Sequence, residues 1–222
     1  VVCSSVKVST KYYYNRPVIK KSHKSFVNIT DIRHPLIERI IDTEYEVNDI
    51  NLDKKSGMLI YGVNASGKSS IIRAIGCNII LAQAGMFVSS KTFEYYSYNL
   101  LLSKISCQDN LFKGQSTFIS EALEIKNMIQ RSDNRTLVLA DELCAGTEGL
   151  SATSLVGSTI IQLTKTHASF IFSTHLHSLM DIEQIKNSNS IYIKHFGVNI
   201  KDNYISYDRK LKDGHGNSLY GL

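Results

Sequence analysis

The chain has 222 residues, 43% of them hydrophobic and 20% charged. That is one large domain or two small ones with a real core, and it excludes collagen-like, coiled-coil and disordered chains. Lys and Arg outnumber Asp and Glu by 25 to 20, and the net charge of +5 permits a nucleic-acid partner without demonstrating one. The best apolar run, residues 77–88, is interrupted by Asn78 and Gln83 and is too short to span a membrane, so no membrane partner is expected. The four cysteines (Cys3, Cys77, Cys107, Cys144) are scattered without a CxxC pair. This argues against a disulfide framework or zinc knuckle and for an intracellular, reducing compartment. No charged-then-apolar leader opens the chain. It starts at Val1 rather than Met, so a longer parent protein is expected.

Both prolines, Pro17 and Pro35, fall early, and the stretch before Glu38 is polar, Tyr- and Lys-rich and turn-like, with β patches such as Phe26-Val27-Asn28-Ile29. Beyond it, strand and helix patterns alternate. Residues 57–61 are a short apolar run bounded by glycine, a strand. Residues 68–83 carry Ile71, Ile72, Ile75, Ile79, Ile80 and Ala82 on a helical face. Residues 116–130 repeat that period through Phe118, Ala122, Ile125 and Ile129. Residues 136–140 read as a buried strand, 150–166 as a helix and 169–173 as another buried strand. From Ser190, the alternation of Ile191 and Ile193, then Val198 and Ile200, with residues 204–207, predicts antiparallel strands. Alternating strands and helices predict an α/β fold with a mainly parallel sheet sandwiched by helices. There is no internal repeat.

Gly62-Val63-Asn64-Ala65-Ser66-Gly67-Lys68-Ser69, followed by Ser70, fits the phosphate-loop pattern GxxxxGK[ST] between a predicted strand and a predicted helix. Glycines let the backbone curl so that N–H groups point at phosphate oxygens, and the helix start adds the positive end of its dipole. Lys68 supplies a mobile charge for the β- and γ-phosphates, and the Ser69 hydroxyl can ligate Mg²⁺. The blander reading is a Gly/Ser-rich turn, which the flanking strand and helix disfavour.

The predicted strand 136–140 runs into Asp141-Glu142. In a parallel sheet the C-terminal strand ends face the ligand crevice. Asp141 is placed to hold Mg²⁺, and Glu142 to orient and deprotonate an attacking water. Alone, such a pair is usually a solvated loop; the phosphate loop tips the balance. His175 follows the next strand and is placed to hydrogen-bond a γ-phosphate or the lytic water. His175-x-His177 with Cys144 lacks the second thiol or carboxylate of a zinc site.

The motifs in this order resemble the C-terminal ATPase domain of the MutS family of DNA mismatch-repair proteins. The resemblance runs from Asn15-Arg16-Pro17 through Arg33-His34-Pro35-Leu36-Ile37-Glu38 and Tyr45-Glu46-Val47-Asn48-Asp49 to Asn64. It continues with Asp109-Asn110-Leu111, residues 114–118 with Glu121, Asp141-Glu142, Gly146-Thr147, Thr174-His175 and finally Ser218-Leu219-Tyr220-Gly221-Leu222. It covers nearly the whole chain. Val63, Ser66, Ser70, Gln115 and the pair Cys144-Ala145 depart from the usual residues. The pattern is most similar to a divergent branch known from large DNA viruses and octocoral mitochondria.

The resemblance implies a phosphate-loop NTPase of the ABC-ATPase type, with antiparallel strands added at both ends of the chain. ATP and Mg²⁺ are the implied cofactors. Residues 1–30 would lead in from a preceding domain, and 31–222 would form the ATPase domain without the family's C-terminal helical dimerisation segment. Two domains would pack face to face as a homodimer, each sending Ser116 to the other's γ-phosphate, although Ser116 also suits a plain helix cap. Tyr45 and Arg209 are the implied groups for stacking on adenine; Tyr45 is one of twelve tyrosines and suits an ordinary strand aromatic too. Mismatched double-stranded DNA would be bound through domains before Val1. Competing readings are a non-hydrolysing nucleotide sensor, an ABC-type ATPase of a transporter or chromosome-maintenance protein, and, more distantly, a phosphotransferase.

Overall fold

The computed structural model describes residues 2–105, 117–201 and 204–216. Its centre is β4 (Gly57–Tyr61), buried at every position. A strand with no solvent face needs cover on both sides and partners on both edges. Parallel β8 (Ser169–Thr174) and β9 (Ile191–Lys201) supply the edges. β7 (Thr136–Asp141) and β6 (Leu100–Lys104) extend the parallel run beyond β8, and β10 (Tyr204–Asp213) closes the other side antiparallel to β9. The six-stranded order is β10-β9-β4-β8-β7-β6. The fold is therefore α/β with a mixed sheet.

Alternation along β4 sorts the core. Met58 and Ile60 face one side, where α2 (Lys68–Gln83) lies with Ile71, Ile72, Ile75 and Ile79 buried. Leu59 and Tyr61 face the other, toward α3 (Thr117–Arg131) and α4 (Gly149–Lys165), which bury Ile125 and Met128, and Val156, Ile160 and Leu163. A short helix α5 (Glu183–Lys186) adds Ile185 to that side.

A second, four-stranded sheet caps the free face of α2. It has the order β1-β5-β2-β3, from β1 (Val18–Ile19), β5 (Thr92–Tyr96), β2 (Phe26–Ile32) and β3 (Asn48–Asn51). Val27, Ile29, Ile32 and Ile50 share one core with α2 and the larger sheet. The expected patch at Phe26 is thus part of a full strand; β3, β5 and β6 have no counterpart in the sequence pattern. The boundary expected after residue 30 falls inside β2.

The N-terminal stretch differs from the turn-like reading, because residues Val2–Tyr12 form a helix, α1. Its inward positions are Ser5, Val8, Ser9 and Tyr12, so serines break up the apolar stripe and the hydrophobic period is weak. The Ser9 hydroxyl is satisfied inside the helix, donating to the Ser5 carbonyl at 2.7 Å.

Gly57 sits beside Phe170 in the β4–β8 register, and a Cβ there would stand 2.1 Å from the Phe170 Cζ. Substitution Gly57→Ala is expected to destabilise the domain by about 1–3 kcal/mol through overpacking. A lower urea midpoint at unchanged m value checks it.

Candidate functional site

Between β4 and α2 the chain passes through residues 62–67, with φ of 154° at Gly62, 63° at Ala65 and 114° at Gly67. At Gly62 a Cβ would also press on Ser66 Oγ at 2.8 Å, so that position favours glycine on both counts. Gly67 caps α2 in the left-handed region and starts it at Lys68. The Lys68 side chain then folds back over the loop it follows. Its ammonium donates to the carbonyls of Gly62 at 2.7 Å and Val63 at 3.1 Å, and lies 3.3 Å from Glu142 Oε1. At 4% exposure, this charge depends on those partners.

Glu142 arrives from the end of β7. The pairing of Asp141 with Ser173 in β8 brings two acids to the mouth of the loop. Ser173 serves both acids: its hydroxyl donates to Asp141 Oδ1 and accepts from the Glu142 N–H at 3.1 Å. Glu142 and Cys144 have φ of 52° and 63°, which turns the chain off the sheet. Thr147 closes this turn by donating to Glu121 of α3 at 2.6 Å. Cys144 is buried inside it, and burial first, with the Glu121 charge second, pushes its thiol up to about 11 against the pull of Lys104.

A cleft of about 620 Å³ runs from Lys68 to the far wall, a volume suited to a small-molecule or cofactor ligand. Of the residues singled out in the sequence, Asn64, Ala65, Gly67, Lys68, Ser69 and Ser70 line it on the loop side. Asp141 and Glu142 line it from the end of β7, and Tyr45 and Arg209 line the wall that the loop, α2 and β7 do not supply. Tyr45 is half-buried, and burial raises its hydroxyl pKa against a backbone hydrogen bond at His34 and the Arg209 charge. Gly62, Val63 and Ser66 belong to the loop without lining the cleft. Ser66 Oγ is buried and has no partner among the described residues. His175 is exposed beyond the end of β8 and is not among the lining residues. Two residues on, His177 stacks on Tyr61 with centroids 5.1 Å apart. Ser116, residues 109–111 and 114–115, and the ending 218–222 lie outside the described residues.

Sequence reasoning missed Arg73, Asn48 and Phe196 as lining residues. Arg73 follows Ser69 by four positions on α2, so helical spacing could have found it. Asn48 and Phe196 arrive from other strands, and no local signal marks them.

The Arg33-His34-Pro35 segment builds this wall rather than entering the cleft. Arg33 pairs with Glu38 at 3.3 Å and donates to the Tyr12 and Tyr13 carbonyls. His34 Nδ1 accepts from the N–H groups of Leu36 and Ile37 at 3.2 and 3.3 Å, which sets Ile37 against the cleft.

A family model described as MutS domain V matches residues 58–222. This chain belongs to the MutS family. Among similar proteins, the mitochondrial DNA mismatch repair protein mutS homolog of Sarcophyton glaucum is 37% identical over 229 residues, covering 100% of this chain and 23% of that protein. A DNA mismatch repair protein mutS homolog of Acanthamoeba polyphaga mimivirus is 33% identical over 260 residues, covering 99% of this chain and 23% of the relative. The DNA mismatch repair protein MutS of Macrococcus caseolyticus is 37% identical over 191 residues, covering 84% and 22%. The chain thus spans about a quarter of these relatives' length. As a MutS-family domain it is divergent, and the mitochondrial and viral relatives fit the branch that its motifs resemble. Among the described residues no three or more His, Cys, Asp or Glu gather to hold a metal ion, and no helix is long and apolar enough to cross a membrane.

Two histidines of this MutS-family domain are held neutral. Burial first, then Arg73, lowers the pKa of His34; burial first, then His215 and His175, lowers that of His177. The unfolded chain takes up these protons near the ordinary value of 6.5, so their contribution to stability is complete above that pH and is lost as pH falls through the lowered folded values. Urea unfolding is expected to show stability falling as pH drops below about 6.5, with a shallower fall in His34→Gln.

Proposed function

We propose that this chain is the ATP-binding and ATP-hydrolysing domain of a DNA mismatch-repair protein, a phosphate-loop NTPase of the ABC-ATPase type. The observation that carries the reading is Lys68: a buried ammonium held, among the described residues, by two loop carbonyls and Glu142, at the head of a cleft that also gathers Ser69, Asp141, Tyr45 and Arg209. Phosphate oxygens compete well for such a charge, because they outmatch neutral carbonyls as partners. When Lys68 turns to phosphate, Glu142 is released from its ion pair. Its carboxylate then takes the proton of a water whose oxygen attacks the γ-phosphorus, as the bond to the ADP oxygen breaks.

The donor set also fits Mg²⁺. The Ser69 hydroxyl and the Asp141 carboxylate are hard oxygen ligands, and Mg²⁺ normally takes only one or two protein oxygens beside phosphates and waters. When bound, Mg²⁺ supplies charge neutralisation on the phosphates. Ser173 keeps Asp141 oriented toward that position. Gly62, Val63, Asn64, Ala65, Ser66, Gly67 and Ser70 complete the phosphate grip, and Tyr45 and Arg209 stack on adenine. In this reading His175 turns toward the γ-phosphate only in an assembled site. Ser116 comes from a second copy packed face to face, and mismatched DNA is held by other domains of an intracellular parent protein. The similar mitochondrial and bacterial proteins, named as DNA mismatch repair proteins, support the repair role.

Steady-state ATP hydrolysis with Mg²⁺, measured against protein concentration with Lys68→Ala as blank, tests the reading. Specific activity is expected to rise with concentration as composite sites form. Substitution Glu142→Gln is expected to lower kcat by about a hundredfold or more while ATP binding persists. ATP binding without hydrolysis above the blank at any concentration would instead favour a nucleotide sensor, and absence of ATP binding would overturn the reading.

A further inference from the structure

Asn48 lies on β3, at the far wall of the cleft, and is only 8% exposed. Its amide spans one target. Nδ2 donates to the Arg209 carbonyl at 3.0 Å, and Oδ1 accepts from the Leu211 N–H at 2.7 Å. Both groups belong to the stretch between Tyr207 and Leu211 where β10 loses its register with β9, and Arg209 itself has φ of 51°. A bulge leaves backbone groups without ladder partners. A side-chain amide donates and accepts in one plane, so it can replace both. The next residue reinforces the join: Lys210 Nζ donates to the Val47 carbonyl at 2.6 Å and lies 3.4 Å from the Glu46 carboxylate.

We propose that Asn48 is a positioning residue for the base end of the cleft. By clamping the β10 bulge it holds Arg209 in the same wall as Tyr45, and so sets the grip on a nucleotide base, while the grip on phosphates is set by the glycine loop and not by β3 or β10. The inference rests on the nucleotide reading above. Its contacts divide accordingly: Asn48 bonds the backbone on either side of Lys210, and among the described residues none of its side-chain hydrogen bonds reaches 62–69. An Asn that merely braced the fold would affect both ends of the cleft alike.

Binding of ATP and of inorganic tripolyphosphate, which carries the phosphates without a base, separates the two roles when both are titrated with Mg²⁺. Substitution Asn48→Ala is expected to weaken ATP on the order of tenfold, the scale of one lost stacking partner, and to leave tripolyphosphate unchanged. Arg209→Ala should show the same loss, and the double variant no more than either single one. If Asn48→Ala fails to fold, Asn48→Asp is read the same way, since it keeps the acceptor for Leu211 and loses the donor to Arg209. Equal losses for both ligands, an unchanged ATP affinity, or additive losses in the double variant would overturn the role of Asn48 and leave the nucleotide reading standing. If the unsubstituted chain binds neither ligand, the nucleotide reading fails and the inference falls with it.

Discussion

Parallel hydrogen-bond register across β7, β8 and β4 decides where Lys68, Asp141 and Glu142 stand. Asp141 pairs with Ser173, and Tyr61 pairs with Thr174. Three strands therefore end at one level, and the segments that leave them, at Gly62, Glu142 and His175, emerge side by side. The ladder tolerates no one-residue slip, because β4 and β8 are buried at every position and a slip would swap the residues packed against α2 with those packed against α3 and α4. Core packing and site geometry are thus the same constraint.

Electrostatics at the strand ends follow from that convergence. A lysine buried at the start of α2 needs anionic or carbonyl partners. The loop carbonyls of Gly62 and Val63 come from its own turn, whereas Glu142 comes from a neighbour two strands away in the sheet order. Ser173 lies between, and its single hydroxyl both donates to Asp141 and accepts from Glu142. The acid pair is held by a serine whose importance is invisible without the sheet.

The β9–β10 hairpin touches both ends of the cleft. On β9, Phe196 packs under the glycine loop, within 3.4 Å of where a Cβ at Gly62 would sit. Thirteen residues on, the bulge in β10 carries Arg209, fastened to β3 by Asn48. The pairing of Leu211 with Phe196 lies just past the bulge, so β9 and β10 connect the glycine loop with the wall that carries Arg209. The small sheet, which holds no charged group of the loop itself, contributes to the site through this fastening and through the wall formed after His34.

Residues whose roles are set by local backbone chemistry were legible in the sequence. The strand 57–61, the glycine loop, the helix 68–83 and the acids ending β7 depend on neighbours a few positions away, and apolar period or glycine placement marks each one. The helix α1 escaped because serines Ser5 and Ser9 interrupt its inward face beside Val8 and Tyr12, and β3, β5 and β6 because strands of four or five residues are too short for a period to stand out. Asn48 escaped for a different reason. It belongs to β3 and Arg209 to β10, and the two meet across 161 positions. The sequence by itself determined the loop, its lysine, the strand-end acids and an α/β alternation, because these are written in contiguous residues. Only the tertiary structure decided that Lys68 pairs with Glu142, that Ser173 serves both acids and that Asn48 holds Arg209, because hydrogen bonds between distant segments depend on sheet order and register.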